Sequence, residues 1–165
     1  MKLVLRLIVI AMIAGLGWWL WTVFFPSPAK VVRQRLVTLA NTATFGAHDS
    51  VVARAAKAQK FSSMFSRDVT IRFNSAGYGA RELTGMDELT ESANGAFAAI
   101  RELKVEFLDI TVTVAADRLS AEANCTARVR MADKSDYGVS EMRFKFKKIE
   151  GKWLISLAET VKTLS

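Results

Sequence analysis

Two kinds of hydrophobic pattern meet in this chain at Pro26 and Pro28. Before them, Leu7 to Phe25 is a run of 19 residues without a charge. As a helix it would extend about 28 Å, close to the hydrocarbon thickness of a bilayer. The apolar core of a cleavable signal is shorter, roughly 7–15 residues. The run is therefore expected to remain as a single transmembrane anchor within residues 1–29. Trp18, Trp19, Trp21, Phe24 and Phe25 crowd one end of it, where amphipathic rings favour the headgroup level. The two prolines then stop the helix. Ser27-Pro28-Ala29 would also suit a signal cleavage site, the alternative outcome. Lys2 and Arg6 face Lys30, Arg33 and Arg35 across the run, so the positive-inside rule is nearly balanced. The short N-terminal tail favours a signal anchor, with the domain behind it outside the cytoplasm, as in a bacterial periplasm.

After the prolines, residues 30–165 read as one domain with two periods. From Lys30 to Phe45, Val32, Leu36, Leu39 and Ala43 recur at helical spacing. "FGAHDS" breaks the pattern, with Asp49 or Ser50 as a cap. A second helix is expected from Val51 to about Ser66, with Val52, Ala55, Ala56, Gln59 and Phe65 inward. "RDVTIRF" (Arg67 to Phe73) alternates as a strand, and "NSAGYGARELTG" is a glycine-bearing loop or hairpin. Thr84 is expected to cap a third helix whose first turn carries Asp87 and Glu88 and whose apolar face is Leu89, Ala93, Phe97 and Ile100. Four strands follow: Lys104 to Val114 with Leu108, Ile110, Val112 and Val114 on one face, Ser120 to Met131, Val139 to Lys148, and Trp153 to Leu164. Helices followed by a run of strands predict an α+β fold: about three helices packed on a curved antiparallel sheet.

Composition narrows the chemistry. Of 23 Lys and Arg, Lys2 and Arg6 precede the domain, so 21 face 16 Asp and Glu within it. That balance is mildly basic and unlike a nucleic-acid binder. A single cysteine, Cys125, excludes an internal disulfide framework and a cysteine-built zinc site. A single histidine, His48, leaves no histidine cluster for a metal. No metal or other cofactor is implied.

The element order, with "FSRDVTIRF", "LTGMDELTESANGAF" and a closing "FKFKKIEGKWLIS", resembles the nuclear transport factor 2-like superfamily from about Lys30 to Leu164. The resemblance implies a cone, in which a bent sheet wraps a long N-terminal helix. The superfamily includes isomerases, polyketide cyclases, dehydratases, transport factors and non-catalytic anchored scaffolds, so the fold alone does not assign an activity. Isomerase-type sites need a carboxylate base and an oxyanion partner inside the cone. The resemblance places the base at Phe73 or Asn74, where no acid stands. The strand expected to carry the second acid turns Ala, Cys, Val and Met inward. His48 reads as a surface or cap residue and Cys125 as a small buried hydrophobe. The remaining pocket candidates are Phe73, Tyr78 in the glycine loop, and Asp109, which the apolar parity of its strand puts on the outer face.

Arg128 and Arg130 share an outward parity with Arg143, Lys145 and Lys147 on the next strand. They are expected to cluster as a contact surface for a partner subunit or anionic lipid, or else to be a solvated face. The function expected from these patterns is non-catalytic: an accessory or scaffold subunit of a membrane protein assembly, similar in plan to anchored scaffold components of bacterial secretion machines. The alternatives are a carrier of an apolar small ligand and a cone-pocket isomerase or cyclase.

Overall fold

Ser27 opens the first helix as its N-cap, accepting a hydrogen bond from the Lys30 N–H, with Pro28 in the first turn, where its missing N–H costs nothing. In the computed structural model, residues 27–75, 79–132 and 138–161 are described, together with Met12 and Gly15 as isolated positions. The expected transmembrane run, with Trp18, Trp19, Trp21, Phe24 and Phe25, therefore lies outside the described residues apart from Met12 and Gly15, and so does Tyr78. Among the described residues no helix is long and apolar enough to cross a membrane.

The elements are α1 (Pro28–Ala43), α2 (Val51–Ser62), β1 (Phe65–Ser75), β2 (Gly79–Thr84), α3 (Met86–Ala99), β3 (Leu103–Val114), β4 (Ser120–Met131), β5 (Gly138–Ile149) and β6 (Lys152–Thr160). The strands form one sheet in the order β2-β1-β6-β5-β4-β3. The sheet is mixed rather than antiparallel, because β1 lies parallel to β6. The β3–β6 meander alternates direction at each turn, and its last strand arrives beside β1 running the same way. The glycine segment is a hairpin, Ser75 pairing with Gly79.

α1 presents Val32, Leu36, Leu39, Ala40 and Ala43 to the sheet, as its spacing predicts. Val32, Leu36 and Leu39 share one core with Val69 and Ile71 of β1, Ile110 of β3, Ala121, Ala123 and Cys125 of β4, Phe144 and Phe146 of β5, and Trp153, Ile155 and Ala158 of β6. A smaller cluster of Phe45, Ala58 and Phe97 joins α2 and α3, with the Phe45 and Phe97 rings 4.8 Å apart.

Three local expectations are corrected. α2 ends at Ser62, and Val52, Ala55, Ala56 and Gln59 point to solvent. Its inward side carries Arg54, Lys57, Ala58 and Phe61 instead. The Arg54 guanidinium donates to the carbonyls of Gly46, Ile100 and Arg101 at 2.7–3.0 Å and lies 5.1 Å from the Phe45 ring centroid. Lys57 donates to the Thr44 carbonyl and to Asp49. These otherwise open carbonyls of the α1–α2 and α3–β3 connections select the cationic side of the helix over its valines. Second, Gly85, at φ 86°, caps α3 in place of Thr84; Glu88 accepts the Thr84 N–H at 2.7 Å. Third, β3 carries a bulge. Its register shifts between Leu108 and Thr111, with Asp109 at φ 53°. The extra residue keeps Phe107 and Ile110 inward while Leu108 turns out to 39% exposure.

Candidate functional site

The concave side of the sheet is where a cone-pocket enzyme would keep its acids, and here it is packed. Phe146, Ile155, Leu36, Val32 and Val69 are fully buried, and Phe107 meets Phe144 edge-on at 5.4 Å. Among the described residues the buried polar side chains are Thr42, Ser62 and Ser66, and none is a carboxylate or an imidazole. Cys125 is buried on this face, and desolvation pushes its thiol up to about 12, which leaves it unionised at neutral pH. His48 sits exposed in the turn before α2, whose cap is Ser50.

The pocket candidates do not converge. Phe73 continues the parity of Val69 and Ile71 but lies past the core, 41% exposed. It lines a groove of about 370 Å³ with Arg72, Arg81, Glu82 and Glu159. Asp109 is exposed on the outer face and lines another groove of about 370 Å³ with Thr111, Asn124, Thr126, Glu141 and Arg143. The two residues stand on β1 and β3, four strands apart in the sheet, or about 19 Å. Among the described residues no group of acids, His and Cys could hold a metal ion.

The five outward cations are divided by the hairpin register. Arg128 lies opposite Val139, whereas Lys145 lies opposite Glu122 and Lys147 opposite Ser120. Arg128 and Lys145 are thus about 20 Å apart along the strands. Arg128 and Arg130 belong to one end of the sheet, opposite Glu106 and Lys104 of β3, with Arg128 3.8 Å from Glu106. Lys145 and Lys147 belong to the other end, where Lys147 bonds Asp68 at 2.7 Å and holds that carboxyl down to about 2. Outward parity was readable along each strand. The expected single cluster fails because antiparallel pairing opposes the start of one strand to the end of the next.

Between the two ends the outer face carries a row of alternating charge. Glu82 on β2 pairs with Arg72 on β1 at 3.2 Å, and Arg72 reaches Glu159 on β6 at 4.0 Å. Glu159 pairs with Arg143 on β5 at 3.2 Å, and Arg143 with Glu122 on β4 at 3.5 Å. The register sets Arg72 opposite both Glu82 and Glu159, and Glu159 opposite Arg143. The row spans five strands and was not evident in the sequence, because it depends on β1 docking beside β6. Arg72 is held above its usual pKa by the Glu82 carboxylate.

The arrangement is that of a nuclear transport factor 2-like cone: three helices on a six-stranded mixed sheet. A SnoaL-like domain model matches residues 48–158, about two thirds of the chain, and the chain belongs to that family. A nuclear transport factor 2-like protein of unknown function from Pseudomonas putida KT2440 superposes with a TM-score of 0.63 at 12% identity, covering 83% of this chain and 87% of that one. A nuclear transport factor 2-like protein with a cystatin-like fold from Novosphingobium aromaticivorans gives 0.60 at 18% identity, with 79% of each chain covered. A protein from the same organism bearing the name "Putative Scytalone Dehydratase" gives 0.59 at 11% identity, covering 82% of this chain and 83% of that one. At these identities the likeness concerns the fold. No curated protein matches the chain in sequence.

Proposed function

We propose that this chain is a membrane-anchored SnoaL-like domain with a non-catalytic role, serving as an accessory or scaffold subunit of a membrane protein assembly. The observation that carries the reading is the interior of the cone: the described core is an apolar cluster, and among the described residues it holds no buried carboxylate or imidazole. Proton abstraction from a bound substrate needs such a base within hydrogen-bond reach. The grooves lined by Phe73 and by Asp109 are separate, so these two candidates do not share a site. The anchor rests on the 19-residue uncharged run with its aromatic end. Solubilising the full chain from membranes in mild detergent and identifying the proteins that elute with it tests the reading. A fixed set of membrane subunits at constant stoichiometry is expected. A chain that elutes alone and turns over a cyclic or keto substrate would overturn it.

A further inference from the structure

The start of α1 and the turns of the sheet lie at one end of the domain. Thr44, after the last turn of α1, exchanges hydrogen bonds with Val105 near the start of β3, and Arg33, near its first turn, donates to the Ile110 carbonyl. α1 therefore runs antiparallel to β3. From Arg33 back to Pro28 the helix advances about 8 Å, while from Ile110 on to Val114 the strand advances about 13 Å. The β3–β4 turn thus reaches at least as far as Pro28, the first residue of α1. The β5–β6 turn lies beside it, because the Lys148 N–H donates to the Leu119 carbonyl at 2.8 Å.

Each turn carries an exposed aliphatic side chain on a fixed backbone. Leu119 is 58% exposed and Ile149 is 40% exposed. Asp117 accepts the Leu119 N–H at 2.8 Å. Glu150 at φ 48° and Gly151 at φ 79° make the tight turn between the paired Ile149 and Lys152. Around these tips stand Lys30, Arg118, Lys147, Lys148 and Lys152, all exposed. The acids nearby are Asp68, which Lys147 holds, Asp117, which bonds the turn's own backbone, and Glu150. Val51 and Val52 are more exposed, but they sit past the far end of α1, on a helix whose Arg54 and Lys57 donate inward.

We propose that the β3–β4 and β5–β6 turns form a docking surface for an anionic lipid bilayer, with Leu119 and Ile149 entering the headgroup region and Arg118, Lys148 and Lys152 meeting lipid phosphates. The inference rests on the anchored reading above and adds the face that the domain turns to the membrane. Two arguments select a bilayer as occupant: the basic excess around an aliphatic pair, and the departure of the uncharged run Leu7–Phe25 from this same end. Each cation removed is expected to weaken docking about fivefold.

The test uses the full chain in vesicles of phosphatidylcholine, alone or with phosphatidylglycerol. A polarity-sensitive thiol dye is attached at Leu119→Cys, Ile149→Cys or His48→Cys, each in a Cys125→Ser background. Blue-shifted emission at positions 119 and 149 in the anionic vesicles is expected, without a shift at 48, and with the shift reduced by Lys148→Glu with Lys152→Glu. Emission at 119 and 149 equal to that at 48, in vesicles that retain the chain through an alkaline carbonate wash, overturns the docking surface and leaves the anchor standing. Release of the chain by that wash overturns the anchored reading. Equal shifts in phosphatidylcholine alone refute the role of the cations, and a disulfide-linked pair formed by the unlabelled Leu119→Cys chain would assign the patch to a second copy.

Discussion

The two faces of the sheet are built from alternate residues of the same strands and do opposite work. On β4 and β5 the concave side takes Ala121, Ala123, Cys125, Ala127, Phe144 and Phe146, all buried. The convex side takes Glu122, Asn124, Thr126, Arg143, Lys145 and Lys147, and includes part of the charge row from Glu82 to Glu122. In a cone-pocket enzyme the concave side must hold charge in a desolvated space. Here the charge is solvated on the outside, and the inside is spent on stability. Among the described residues of this SnoaL-like domain, the concave side of the sheet is core.

The sharpest way to break that contrast is to hollow the concave side. Phe146→Ala removes a ring that is 1% exposed and should cost about 3–5 kcal/mol in chemical unfolding; a loss below about 1 kcal/mol would mean that the cone already contains space. Arg54→Met should cost less, about 1–3 kcal/mol, by leaving the Gly46, Ile100 and Arg101 carbonyls without their donor. Arg143→Met, which removes a partner of Glu122 and one of the two partners of Glu159, should cost at most about 1 kcal/mol. That loss should shrink further at high salt, which screens exposed pairs. The smallest effect belongs to Asp68. Its folded-state pKa, about 2, lies below the ordinary carboxyl value of 3.8 because of Lys147. Its contribution is present above pH 4 and is lost as pH falls from about 4 towards 2. Asp68 is largely exposed, so the effect is a shallow one, and Lys147→Met should flatten the acid limb of a stability–pH curve only in that window.

Much of the contrast was legible in the sequence, because strand alternation has a period of two and needs no knowledge of partners. Ala121 to Ala127 and Phe144 to Phe146 follow from that period alone, and Val32, Leu36 and Leu39 from the helical one. What failed depended on neighbours. β3 changes parity at Asp109, and no residue type in "FLDITV" announces the extra position. α2 buries its Arg54 side because open carbonyls wait there, which the greater hydrophobicity of Val51 and Val52 conceals. The cations of β4 and β5 share a face but not an end, since sharing an end requires the register. The parallel pairing of β1 with β6, and with it the charge row, arises only when the meander closes onto the first hairpin.

The proposal under test is that the domain works at a membrane rather than through its cone. The intact mass of the chain recovered from the membrane fraction tests that most directly. A mass that includes Leu7 to Phe25 is expected, with the chain resisting extraction at alkaline pH. A mature chain beginning near Lys30, released in soluble form, would contradict it.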